Sequence, residues 1–343
     1  MAISCRRLPK HILVVRLSAM GDVAMLPHAI RALKEAYPEV KITVATRKLF
    51  EPFFEGLGVD ILPVEKSEYD GWKNIRDFSR KMRAMGIDAF ADTHGVWRTM
   101  FLRSWLWLRG MRTAKINKGR VEKWFRVGYC NSNAVPLKHT VVRYCDVFRD
   151  LGFVFQDPAP AIKIERPNPM GTKSGTWVGF APFSAHQGKT YPEGLREEAV
   201  KLLAKKYDRV FIHGGGGSEA EFAHKMEELY PNVTAVNGKV KGLGEEMNLI
   251  SNLDCVVSMD SLVMHLASLV ATPVVSVWGA THPELGFLGY GCSSDGVLQE
   301  EIKCRPCSTY GNTKCKFGDY RCIHAITPQM IADKVEKMLT SSN

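Results

Sequence analysis

The chain has 343 residues, 45% hydrophobic and 24% charged, a balance that excludes intrinsic disorder and exceeds what one core usually organises. No run of about 18 uncharged apolar residues occurs, and Arg16 interrupts the short apolar run Ile12–Val15, so neither a membrane-spanning helix nor a secretory signal is expected and the cytosol is the default compartment. The formal net charge of +10 is concentrated: residues 93–145 hold eleven Lys and Arg against the single acid Glu122, while residues 161–343 hold 19 against 20. Such a stretch suits an anionic partner, whether phosphorylated lipid, membrane surface or nucleic acid.

Short β-branched runs then alternate with helical periodicity, as in parallel sheets covered by helices. His11–Leu17 predicts a buried strand. Val23, Leu26, Ile30, Leu33 and Tyr37 recur at helical spacing, with Pro27 expected in the first turn and Pro38 ending the helix. Lys41–Thr46 predicts a strand, Lys48–Leu57 a helix, Asp60–Val64 a strand, Trp72–Met85 a helix and Asp88–Asp92 a strand. From Gln156 to Gly175 four prolines and two glycines mark a linker, with one strand at Ala161–Glu165. The alternation resumes with strand Trp177–Ala181, helix Leu195–Tyr207, strand Arg209–His213, helix Glu219–Tyr230, and strands Val233–Val236 and Asp254–Ser258. A helix from Ser261 and the strand Val274–Trp278 complete the pattern, and right-handed crossovers make both halves Rossmann-like.

Six segments carry chemistry. Asp22 follows the first strand in Ser18-Ala19-Met20-Gly21-Asp22, at the sheet edge where open α/β folds place ligands; the residues alone equally allow a helix N-cap. Ser184 and Lys189, in the loop from Phe183 to Pro192, can hold phosphate oxygens or belong to a solvated loop. His213-Gly214-Gly215-Gly216-Gly217-Ser218-Glu219 runs a strand through glycines into a helix, which suits a nucleotide with Glu219 on a ribose. Asp260 and Ser261 fall at a helix N-terminus with His265 one turn on, a place that attracts pyrophosphate or a capped helix with a core histidine. Cys304, Cys307, Cys315 and Cys322 can form a structural zinc site or remain thiols. Val96–Met111 mixes three tryptophans with Arg98, Arg103 and Arg109, which suits a membrane headgroup region or a core helix with snorkelling arginines.

Taken in order, RLSAMGDVAMLPHAIRALKEAYP, DTHGVWRTMFLR, GKTYP, HGGGGSEAE, MDSLVMHLASLVATPVVSVWGATHP and CRPC…C…C with TPQMI resemble the family 9 glycosyltransferases, the bacterial heptosyltransferases of lipopolysaccharide inner-core synthesis. The resemblance spans residue 11 to about 335. It implies a GT-B fold, two Rossmann-like domains facing a cleft: residues 1–160 for the acceptor, 173–326 for the nucleotide-sugar donor, and a final helix (327–343) returning to the first domain. It further implies Asp22 as general base, Ser184 and Lys189 at the donor phosphates, Glu219 on the ribose, and Asp260, Ser261 and His265 in the nucleotide-sugar motif. His94, Arg98 and Arg103 fall to acceptor binding. The chain departs from the family pattern at Ser261-Leu262, where Thr-Gly is usual, and at Ala185, where a second hydroxyl is common.

The residues fit that chemistry. A carboxylate accepts the proton of an attacking sugar hydroxyl, while a lysine, a serine and a helix N-terminus stabilise the departing nucleoside diphosphate. One carboxylate without a second nucleophile predicts a single inverting displacement, and no cage of acids for Mg²⁺ is visible, so no cofactor is expected beyond the zinc possibility. The substrates that the resemblance implies are ADP-heptose and a Kdo–lipid A type acceptor, a phosphorylated glycolipid at the inner face of the cytoplasmic membrane, with no nucleic-acid partner. The alternatives are a nucleotide-sugar epimerase of the same architecture and a non-catalytic binder of anionic lipid or nucleic acid.

Overall fold

The computed structural model describes residues 7–65, 72–128 and 135–341. Its contacts divide the chain into two compact units, Met1–Lys118 with Thr140–Ala159, and Gly119–His139 with Pro160–Asn343.

In the first unit the chain runs β1 (His11–Val15), α1 (Met20–Ala36), β2 (Lys41–Thr46), β3 (Asp60–Pro63), α2 (Trp72–Ala84), β4 (Ala89–Asp92), α3 (Trp97–Leu108) and β5 (Arg112–Lys115). After the excursion carrying α4 (Arg120–Arg126), α5 (Thr140–Asp150) returns to it. All pairings are parallel, in the order β3-β2-β1-β4-β5. Every β1 residue is buried, as expected of a central strand with helices on both faces. Leu13 and Val15 meet Phe78, Met82, Leu102 and Leu106 from α2 and α3; α1 packs against α5.

Two local expectations change here. Pro27 lies well inside α1, because the helix begins at Met20. The segment expected as a helix over Lys48–Leu57 is a 3₁₀ helix, Lys48–Phe54, with Pro52 inside it. The tighter winding still buries Phe50, Phe53 and Phe54.

The second unit contains β6 (Trp177–Ala181), α6 (Glu193–Lys206), β7 (Arg209–Ile212), α7 (Ser218–Leu229), β8 (Val233–Ala235), α8 (Gly242–Asn252), β9 (Cys255–Met259), α9 (Leu262–Leu269), β10 (Val274–Trp278), β11 (Val297–Gln299), α10 (Arg321–His324) and α11 (Pro328–Ser341). Its sheet is also parallel, in the order β11-β10-β9-β6-β7-β8. The linker forms no strand at Ala161–Glu165. Ile162 and Ile164 are exposed there, and Lys163, Arg166 and Lys173 tie the segment to Leu253, Asn248 and Asp254.

The domain limits also differ from expectation. The final helix was expected on the first domain, but Ile331, Val335 and Met338 of α11 lie in the second unit's core with Val275, Val277 and Leu298. The face of β9 and β10 needs that apolar stripe, as burying one such side chain contributes about 1.5–3 kcal/mol. Residues 119–139 likewise belong to the second unit rather than to a 1–160 domain. The Lys123 ammonium sits 3.9 Å from the Phe287 ring centroid, Gly128 N–H donates to the Pro306 carbonyl at 2.7 Å, and Leu137 N–H to that of Glu284 at 2.8 Å.

Candidate active site

An open parallel sheet offers a ligand crevice where the strand order reverses, outside the carboxyl ends of the two strands flanking that point. In the first sheet those strands are β1 and β4; in the second they are β6 and β9. Asp22 and His94 lie by the first of these places, and Ser184, Lys189, Asp260 and Ser261 by the second.

In the first unit, the register sets Val15 beside Asp92, so the residues that follow emerge together. Arg16, 3% exposed, pairs with the Asp22 carboxylate and donates to the Thr93 carbonyl at 2.6 Å. Its guanidinium lies 5.7 Å from the Tyr144 ring centroid, and the Tyr144 hydroxyl donates to the backbone carbonyl of Asp22 at 3.0 Å. Asp22 lies in the first turn of α1 without serving as a cap, and its side chain keeps 26% exposure. His94 stands close enough to feel Arg16, Lys118 and Asp22; burial first, then the two cations, hold its imidazole down to about 4. Asp92 caps the same turn by accepting from the His94 and Gly95 amides at 3.2 and 2.7 Å; burial pushes its carboxyl upward.

Arg98 and Arg103 stand apart from this cluster on α3. Arg98 lies over the Trp97 ring at 4.8 Å, and half-buried Arg103 offsets the charge of Asp92. The two faces of the helix differ: Leu102 and Leu106 are buried, while Trp97, Phe101, Trp107 and Leu108 are exposed. Trp105 packs against the core. On α4, in the second unit, Val121, Trp124 and Phe125 form another exposed apolar face among basic residues.

In the second unit, the Lys189 ammonium is 3.1 Å from Asp260 Oδ2, with the two side chains 14% and 9% exposed. Thr281 Oγ1 donates to the same carboxylate at 2.8 Å, and Ser184 Oγ to the Asp260 carbonyl at 3.3 Å. Ser261 is the N-terminal boundary of α9, its hydroxyl 3.3 Å from that of Ser258, and His265 is buried one turn on. Glu219, in the first turn of α7, accepts from the Gly215 amide at 2.6 Å. A Cβ on Gly214 would meet Phe183 and Glu219 within 3.3 Å, so the glycine loop passes directly over the residue preceding Ser184.

Three contributors escaped sequence reasoning. Arg16 was read only as the end of an apolar run. Thr281 carried no motif. Arg305, between two of the cysteines, is 1% exposed and donates to the Gly279, Glu300 and Thr281 carbonyls, fixing the loop that holds Asp260. For Arg16 the signal was a lone charge at the end of an apolar run; Arg305, among Glu300, Glu301 and Lys303, carried none. The cysteine segment braces the site too: a Cβ at Gly311, where φ is +82°, would come within 2.5 Å of Lys189 Cδ. Among the described residues no group of three or more His, Cys, Asp or Glu is placed to hold a metal; Cys304, Cys307, Cys315 and Cys322 are free thiols, with Cys307 near enough to feel Cys304 and Cys315. No helix among those residues is long and apolar enough to cross a membrane.

The sequence model of glycosyltransferase family 9 (heptosyltransferase) matches residues 75–317. Lipopolysaccharide heptosyltransferase 1 of Pseudomonas aeruginosa is 22% identical over 96% of this chain and 98% of its own. The structure of E. coli ADP-heptose LPS heptosyltransferase II is similar at a TM-score of 0.70 and 18% identity, over 97% of this chain and 99% of that one. E. coli heptosyltransferase WaaC with ADP gives a TM-score of 0.67 at 20% identity, over 96% and 99%. These likenesses show a fold of GT-B type.

Proposed function

Because the chain belongs to glycosyltransferase family 9, we propose that it transfers a heptose from ADP-heptose to the inner core of a lipopolysaccharide, on a Kdo–lipid A type acceptor, by one inverting displacement. The observation that carries this reading is the pair of charged clusters at the two sheet reversals: a partly exposed carboxylate at Asp22, and a shielded cation at Lys189 beside the start of α9. They supply the two opposite needs of the reaction. Asp22 accepts the acceptor hydroxyl's proton as the new glycosidic bond forms. As the bond to the diphosphate breaks, Lys189, Ser184 and the amides opening α9 stabilise the growing negative charge, with His265 supporting that helix from within. Glu219, at the glycine-rich turn, takes ribose hydroxyls. His94, Arg98 and Arg103 bind the acceptor, the arginines its phosphates.

The acceptor is a phosphorylated glycolipid, so we place the protein at the inner face of the cytoplasmic membrane. The exposed apolar faces of α3 and α4, each among basic residues, support that placement, since aromatic and cationic side chains together suit the headgroup layer of an anionic bilayer. Incubation of the purified protein with ADP-heptose and Kdo–lipid A tests the reading. ADP release that requires the acceptor is expected. ADP release without acceptor dependence, or epimerisation of the sugar, would overturn it.

A further inference from the structure

The buried arginine at the end of β1 has a geometry that the transfer chemistry leaves unexplained. Arg16 is held on three sides, by the Asp22 carboxylate, the Thr93 carbonyl and the Tyr144 ring. These partners come from α1, the turn after β4, and α5. Tyr144 closes the arrangement by donating to the main chain of Asp22 at 3.0 Å. Asp22 is thus fixed through one side-chain oxygen, Oδ2, and through its own carbonyl. A carboxylate in the first turn of a helix otherwise exchanges between rotamers, and a base that points in several directions spends little time aimed at one hydroxyl.

We propose that Arg16 is a positioning residue for the transfer: it clamps Oδ2 of Asp22 so that Oδ1 is the oxygen presented to the acceptor hydroxyl. The proposal rests on the reading of Asp22 as general base. Arg16 acts through Asp22, since a guanidinium 3% exposed is walled off from substrate. The clamp has a second effect on the same turn. Arg16 and Lys118 repel a proton from buried His94, while Asp22 attracts one. Burial is the larger cause of the low His94 value, and the guanidinium adds to it. Without the guanidinium, Asp22 pulls His94 toward protonation.

The test uses Arg16→Gln, Arg16→Lys and Arg16→Ala in the full chain, beside the wild type. In Arg16→Gln, kcat is expected to fall about 10²-fold, the cost of a slight misplacement of a reacting group, while the dissociation constant for ADP alone stays unchanged. Added guanidinium is expected to restore part of the rate to Arg16→Ala. The His94 imidazole, followed by NMR, is expected to titrate at higher pH in Arg16→Gln than in the wild type. Arg16→Lys, which keeps the charge but loses the planar fork, is expected to retain the low His94 midpoint while kcat falls. A kcat within twofold of wild type in both Arg16→Gln and Arg16→Lys overturns the proposal. So does a loss of rate that follows the melting temperature and ADP affinity downward and resists guanidinium. A wild type that transfers from no nucleotide-heptose donor overturns the reading of Asp22 as base, and the clamp with it.

Discussion

The two sheet reversals are built from the same parts in opposite roles. In the first unit a buried cation, Arg16, supports an anion that keeps 26% of its side chain exposed. In the second an anion, Asp260 at 9%, supports the cation Lys189 at 14%. Topology dictates where polar groups collect, because the chain must leave adjacent strands in opposite directions at that point. Which member of the ion pair faces outward then decides the chemistry. An outward carboxylate suits taking a proton, and an outward ammonium suits meeting a diphosphate. The supporting ion is in each case deeper than the one it holds.

The largest expected effect breaks this comparison on one side only. Asp22→Asn keeps the size of the side chain and removes the base, so turnover should fall by about 10²–10⁴ while ADP binds as before. A variant with near-wild-type turnover would remove Asp22 from the chemistry. On the other side, Lys189→Ala deletes a charge-assisted contact present both before and during transfer. Donor affinity and rate should both weaken, kcat/KM by roughly 10- to 100-fold, the range for one hydrogen bond to a charged group. An unchanged ADP dissociation constant would contradict the phosphate role.

A pH experiment compares the units directly. Burial and a nearby arginine hold His94 in the first and His282 in the second down to about 4, against 6.5 for a free imidazole. Between those values the unfolded chain binds protons that the folded chain refuses. The stability associated with each neutral histidine is therefore complete above about 6.5 and is lost as pH falls toward 4. Melting temperature should drop over that interval, and His94→Gln and His282→Gln should each flatten part of the slope. A melting temperature independent of pH from 7.5 to 4.5 would contradict both assignments.

The smallest effects concern α3 and α4. Arg98→Ala and Arg103→Ala should each raise the acceptor KM by about fivefold, the worth of one cation near an anionic surface (~1 kcal/mol), and less as salt increases. Trp97→Ala with Trp107→Ala, and separately Trp124→Ala, should loosen binding to anionic vesicles without moving the melting temperature. Trp105→Ala should do the reverse, because Trp105 packs on the core. If Trp97 and Trp107 cost stability and leave vesicle binding intact, the basic stretch is structural.

The alternation of strands and helices was legible because parallel strands buried on both faces read as continuous apolar runs, as HILVV and VVSVW do. β5 was not: RTAK is short, polar at three of four positions and at an edge of its sheet, so neither composition nor period distinguishes it from a loop. The docking of α11 was equally hidden, since an amphipathic pattern says that a helix has an apolar face but not which sheet receives it. At the site, Asp22, Ser184, Lys189 and Asp260 were visible as polar residues just past strand ends. Their supports were less so. Arg16, Thr281 and Arg305 act through backbone carbonyls and a single carboxylate, contacts that exist only once distant segments meet.

The excursion of residues 119–139 into the second unit governs how the chain can be divided and in what order it can be made. The first unit is discontinuous: its sheet is complete at Lys115, but α5, the partner of α1, is supplied only after the excursion. While residues 119–139 emerge during synthesis, Phe287, Glu284 and Pro306, which will receive them, have not been translated. Lys123 and the amides of Gly128 and Leu137 must therefore wait in solvent for more than a hundred residues before their partners exist. A fragment cut at the linker would keep that strap with nothing to receive it, and the remainder would lack a piece of its surface that no later residue replaces. The two units are two in architecture and one in assembly.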